Sequence, residues 1–213
     1  MICHSHRFIF LHVPKVAGTS VKDVLGQELF QEDQVTFQIA PNPHYPPEWT
    51  APYEEHIIAA ELKSQLAPEI WDDYFKFAFV RHPLDWAVSN YFFFLRDRKG
   101  HPAHEFLERK GFAGTMDMFF GAAGRHPLVA GMRFSQWEFL CDSEGRTLVD
   151  FVGKYERLEQ DFAAVCIRIG LTPPDLPCLN QTRHQSFTSY YDEALMRQVS
   201  RALARDFEIF DYA

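Results

Sequence analysis

Phe8 to Val13 forms a run of β-formers that stops at Pro14, and Gly18, Thr19 and Ser20 follow within one short turn. No other stretch narrows the fold as much. Apolar residues that do not alternate with polar ones predict a strand buried on both faces, as in a parallel sheet. Beyond the turn, Val21, Val24, Leu25 and Leu29 keep helical spacing. The spacing predicts a helix packed on the sheet, with Gly18 as a flexible point and Thr19 and Ser20 as N-caps. A strand, a tight turn and a helix N-terminus present N–H groups and the positive end of the helix dipole to an anion. Lys15 adds a charge and the two hydroxyls add donors. Two readings of the turn fit: a cradle for phosphate or sulfate, or an ordinary connection with a solvated lysine.

A chain of 213 residues fits one α/β domain over 1–213 with a full core. A net charge of −8 argues against general nucleic-acid binding and still allows a local basic pocket. Cys3, Cys141, Cys166 and Cys178 are scattered, which suits free thiols in a reducing compartment. The stretch Met1 to His6 is polar and reads as frayed. No signal-like or membrane-length apolar run is visible, so a soluble cytoplasmic protein is expected.

Further on, Gln34 to Ile39 reads as a short strand. Ala40 to Tyr53 interleaves five prolines with His44, Tyr45, Trp49 and Tyr53, which predicts a long ordered loop. Short helices are expected over Ala60 to Leu66 and from Pro68 through Trp71. Lys76 to Val80 is the second buried strand, and it runs into Arg81. Pro83 at a first helical position and Asp85 in the first turn predict a helix to about Arg98. Residues 100–133 read as a less regular helical insertion. Phe134 to Cys141 and Thr147 to Tyr155 read as strands around an Asp142 to Gly145 turn. A helix is expected over Glu156 to Ile169, closed by Gly170, and a last one over Asp192 to Phe207. Two strands, each followed by a helix, predict a mainly parallel sheet flanked by helices, with ligands at the strand ends. Lys15 and Arg81 both stand there, which suggests a ligand with two anionic groups. Ser89 lies about 12 Å beyond Arg81 along a straight helix at 1.5 Å per residue, so convergence on one phosphate requires the strand end to fold back beside the helix, or the ligand to lie along it.

At this point the sequence resembles a known family. Pro14, Lys15, Ala17, Gly18, Thr19 and Ser20 after a strand are similar to the 5′-phosphosulfate loop of sulfotransferases that use 3′-phosphoadenosine 5′-phosphosulfate (PAPS). Phe79 to Phe93 resembles their 3′-phosphate motif, in the right order. Phe151 to Phe162 and Asp206 to Tyr212 resemble the C-terminal half of the carbohydrate branch, above all uronyl O-sulfotransferases and their bacterial relatives. His82 departs from the commoner residue at its position and is read as tuning the loop.

The resemblance implies a P-loop-like three-layer α/β fold and a set of roles. Lys15 would neutralise charge as the S–O bond breaks. Main-chain N–H groups of Ala17 to Ser20, with the Thr19 and Ser20 hydroxyls, would hold the 5′-phosphate. Arg81 and Ser89 would hold the 3′-phosphate. A sugar hydroxyl needs a general base. His56 is the candidate, with Glu54 or Glu55 as alternatives, and His12 is read as supporting rather than reacting. Tyr45, Trp49 and Tyr53 would stack on a saccharide acceptor, Arg96, Arg98 and Lys99 could meet an anionic one, and Asn180 and Arg183 could close over the nucleotide. No metal is expected: His4, His6, His101 and His104 read as surface histidines. A P-loop kinase would need lysine after the last glycine of its loop, and here Lys15 precedes Gly18. A nucleotide-binding module without turnover is the other alternative.

Overall fold

A computed structural model describes residues 1–29, 35–36, 56–97, 99, 102–121, 126–129, 131–176 and 185–212. The chain falls into two compact units. One comprises Met1–Val80 and Trp137–Asn180, the other Arg81–Gln136 and Gln181–Ala213.

The first unit carries a five-stranded sheet: β1 (Ile2–Cys3), β2 (Phe8–Leu11), β3 (Val35–Thr36), β4 (Phe75–Val80) and β5 (Phe151–Lys154), in the order β3-β1-β2-β4-β5. The β2, β4 and β5 strands run parallel, with Phe10 opposite Phe77 and Phe79 opposite Gly153. The β1 strand pairs antiparallel with both β2 and β3. Every residue of β2 is buried, which is why its apolar residues need not alternate. Phe10 and Phe77 stack at 5.1 Å, and Phe79 lies where a Cβ on Gly153 would stand, 2.4 Å from its ring edge. Only glycine at 153 lets β5 approach that ring. Buried Lys76 is spent on the scaffold: its Nζ bonds the carbonyls of Trp71 and Tyr74 and pairs with Asp150 at 3.0 Å.

Helices α1 (Gly18–Leu29), α2 (Ala59–Gln65), α3 (Pro68–Asp73), α6 (Trp137–Leu140) and α7 (Leu158–Arg168) belong to this unit. The fold class is α/β, a mainly parallel sheet flanked by helices, as expected. Gly170, at φ 80°, closes α7, with Leu171 N–H on the Cys166 carbonyl at 2.8 Å. Asp161 holds the β5–α7 turn by accepting from Lys154 N–H and from Arg157 Nε.

The second unit contains α4 (Pro83–Asp97), α5 (Pro102–Phe120), α8 (Glu193–Ala202) and α9 (Ala204–Ile209). The expected insertion is mostly α5, interrupted at Gly111 with φ 65°. The tail is two helices rather than one, parted at Leu203; Asp192 caps α8 through Leu195 N–H. Tyr191 donates to the Leu84 carbonyl at 2.9 Å. Burial pushes its phenol far up, and the Asp85 charge adds to this.

Three expectations are corrected. Phe134 to Cys141 is not a strand: Trp137–Leu140 is helical, and β5 pairs with β4 rather than with this segment. What survives of the hairpin is one bridge, Cys141 to Thr147, around the expected turn. In that turn Asp142 accepts from Glu144 and Arg146 N–H groups and from Arg146 Nε, and Arg146 holds its carboxyl below the usual range. The N-terminus is not frayed. Met1, Ile2 and Cys3 are buried, His4 bonds the Tyr74 hydroxyl, and His6 bonds the Ile169 carbonyl. Nor is His104 a surface residue: it is buried, with Nε2 on the Leu95 carbonyl. His101 lies outside the described residues. No described helix is long and apolar enough to cross a membrane, and no group of three metal-ligating side chains forms among the described residues.

Candidate active site

The β2 strand ends at Leu11, and buried His12 and Val13 carry the chain to Pro14. Lys15 and Ala17 then take left-handed φ values of 65° and 63°. Side chains other than glycine pay about 1–2 kcal/mol each in that region. Two such residues in three bend the main chain into the kind of concavity whose N–H groups hold anions. Strain of this sort concentrates at functional sites.

The α1 helix begins at Gly18, and Val21 N–H bonds the Ala17 carbonyl at 3.1 Å. Ala17 is therefore the cap position, not Thr19 or Ser20, which stand in the first turn. By helix geometry the N–H groups of Gly18, Thr19 and Ser20 precede the first intrahelical donor. No acidic residue of that turn offsets the dipole. Thr19 is exposed, Lys15 half-buried and Ser20 buried.

His56, half-buried, reaches this loop from far along the chain. Its Nδ1 lies 3.0 Å from the His12 carbonyl. A carbonyl only accepts, so Nδ1 carries the proton of the neutral ring and Nε2 keeps the lone pair. The two imidazoles meet edge to face at 4.6 Å.

The second cation is set differently. Arg81 follows β4 and is only 8 % exposed. Its Nε donates to Asp85 at 2.6 Å. Asp85 and buried Ser89 are four residues apart on α4 and share one face. The bond to Asp85 therefore lays the Arg81 side chain along the face of α4 that also carries Ser89. The Arg81 main chain is clamped too. Its N–H donates to Gln136 Oε1 at 2.8 Å, and its carbonyl accepts from Gln136 Nε2 at 2.7 Å. Gln136 N–H in turn donates to Asp206 at 2.9 Å, and both residues are 0 % exposed. His82 sits in an aromatic nest, stacked on Phe187 at 4.7 Å with the edges of Phe207 and Tyr212 beside it.

The first unit thus brings together Pro14, Lys15, Ala17, Gly18, Thr19, Ser20 and His56, and the second holds Arg81 with Ser89. Tyr45, Trp49, Tyr53, Glu54, Glu55, Arg98, Asn180 and Arg183 lie outside the described residues. Sequence reasoning missed three supports. Asp85 was visible as a charge four residues from Arg81. Gln136 and Asp206 carry no local signal.

A model of the Sulfotransferase family matches residues 1–213. Carbohydrate sulfotransferase 14 of Homo sapiens is 25% identical over 240 residues, covering 100% of this chain and 59% of the relative. The Mus musculus protein of the same name is 26% identical over 179 residues, covering 76% of this chain and 44% of its own length. The chain thus spans three-fifths or less of the curated relatives it matches. With the whole of its length matched by that family's model, the chain belongs to the sulfotransferase family.

Proposed function

We propose that the protein moves a sulfuryl group from PAPS to a hydroxyl of a carbohydrate, in line, with His56 as general base. One observation carries the reading: His56 Nδ1 is held on the His12 carbonyl, beside the Lys15 loop, which leaves Nε2 as a proton acceptor. The residues fit such a donor. They offer one lysine, the N–H groups of a helix start and an arginine braced toward a serine, all suited to phosphate and sulfate oxygens. The donor supplies a sulfuryl group on a good leaving group. His56 Nε2 takes the acceptor hydroxyl proton as its oxygen forms the new bond to sulfur. Lys15 and the first turn of α1 stabilise the charge that gathers on the 5′-phosphate oxygen as the old S–O bond breaks. Arg81 and Ser89 hold the 3′-phosphate, so adenosine 3′,5′-bisphosphate is the product. By analogy with phosphoryl transfer, positioning and charge stabilisation dominate such a step.

Two relatives named carbohydrate sulfotransferase support a saccharide acceptor, for which Tyr45, Trp49 and Tyr53 are the proposed stacking residues. Residues 1–213 act as one catalytic domain in this reading. A cytoplasmic setting is part of the same proposal; among the described residues Cys3, Cys141 and Cys166 are buried thiols.

The test pairs binding with transfer. Adenosine 3′,5′-bisphosphate should bind in excess chelator, and radiolabel from PAPS should appear in polysaccharide rather than in glycolipid or small alcohols. Tight binding of magnesium–ATP without binding of the bisphosphate would replace this reading with a kinase. Binding without transfer to any acceptor would reduce the protein to a nucleotide-binding module.

A further inference from the structure

Building on that reading, we infer that His12 is a positioning residue that ties the donor loop to the base. Gly18 shows where the tie lies. It is helical and has no left-handed φ, so conformational freedom is not what glycine supplies there. What it supplies is space. A Cβ at Gly18 would stand 1.9 Å from His12 Cδ2 and 2.1 Å from Nε2. The imidazole therefore rests directly on the first residue of α1. Phe10 backs the ring at 6.1 Å, nearly parallel, and His56 meets it edge to face at 4.6 Å. The His12 carbonyl holds His56 Nδ1. One residue thus carries the base on its main chain and the start of α1 on its side chain, and the ring sets the step between them. A side chain that only filled core space would leave the state of His56 unchanged when altered.

The experiment compares wild type, His12→Ala, Gly18→Ala and the double variant. The deciding readout is the pair of His56 ring nitrogens by long-range proton–nitrogen NMR, which needs no nucleotide. Wild type should show the Nδ1–H tautomer as two separated nitrogen signals. Both single variants should move toward the averaged pattern of a ring exchanging its proton, because His56 loses its buttress or the buttress is displaced. Should His12→Ala fold poorly, Gly18→Ala carries the readout alone: the nearest atoms its Cβ would meet all belong to the His12 side chain, which can turn aside. In the double variant the Cβ at position 18 finds room, so the affinity for adenosine 3′,5′-bisphosphate lost by Gly18→Ala should recover by about threefold or more, the coupling expected of touching residues. A His56 pattern unchanged in the single variants, or affinity losses that simply multiply, overturns the inference. If the His56 pattern shifts as expected but wild type neither binds the bisphosphate nor transfers sulfuryl, the donor reading fails and the tie stands.

Discussion

In the proposed reaction His56 and Lys15 would meet different demands. His56 would act only as the acceptor proton moves, so His56→Ala should leave nucleotide affinity nearly intact and slow turnover roughly a hundredfold to ten-thousandfold. Lys15 would meet charge in the ground state and more at the transition state, so Lys15→Ala should lower both. The sign of the pH effect follows from the base being the neutral imidazole. Wild-type turnover should fall as pH drops and the ring protonates, and that limb should vanish in His56→Ala. Single-turnover rates across pH decide; a near-normal His56→Ala enzyme with the limb intact moves the search to Glu54 and Glu55. Arg81→Ala should cost about 1.5–3 kcal/mol of nucleotide affinity, the value of a charge-assisted contact. It also takes the guanidinium away from Asp85, so Arg81→Ala/Asp85→Ala should recover some stability without recovering affinity, measured by denaturation and calorimetry side by side.

At the scale of elements, the start of α4 depends on a side chain that belongs to no element. Gln136→Leu keeps volume but removes both bonds to the Arg81 main chain, leaving an N–H and a carbonyl buried at about 1–3 kcal/mol each. Stability should fall by that order, and nucleotide affinity should fall with it even though Gln136 touches no ligand; unchanged affinity would show that the clamp does not set Arg81. The same residue explains where sequence reasoning failed. The β2 and β4 strands were legible because burial on both faces writes an apolar run. The Phe134 to Cys141 stretch carried aromatics too, but its course is fixed by Gln136 reaching Arg81 and Asp206, and such distant bonds leave no periodicity. Four helical residues at Trp137 are too few to display one. Near the proposed site, the end of β2 and the helix after it were legible, because Pro14 and the apolar spacing beyond it mark both. The left-handed turn was not, because neither Lys15 nor Ala17 advertises a positive φ. Gly18 was read as a flexible point, yet it is helical with no positive φ, and a Cβ there would meet the His12 ring.

For the whole molecule, the proposed nucleotide would act as a stabiliser of the native state. A ligand that binds only the folded chain, at a hundredfold excess over its Kd, adds about 2.7 kcal/mol. In a chain of 213 residues that amounts to a rise of about 5–11 °C in Tm, at 2–4 °C per kcal/mol. Adenosine 3′,5′-bisphosphate should produce that rise equally with and without chelator. A rise that appears only with added magnesium would contradict the metal-free reading. The net charge of −8 makes the result informative, since an acidic protein does not gather anionic nucleotides by bulk attraction.

The left-handed Lys15 and Ala17 carry one more consequence. Glycine at position 17 would relieve strain of about 1–2 kcal/mol and return about 0.4–1 kcal/mol of it through a looser unfolded chain. Thermal stability is therefore a poor gauge of this turn. What a side chain at 17 would secure is a mould already set before the proposed nucleotide binds. In stopped-flow mixing, the observed rate should then climb in a straight line with nucleotide concentration, and Ala17→Gly should bend that line toward a plateau, the mark of a turn that has to find its shape first.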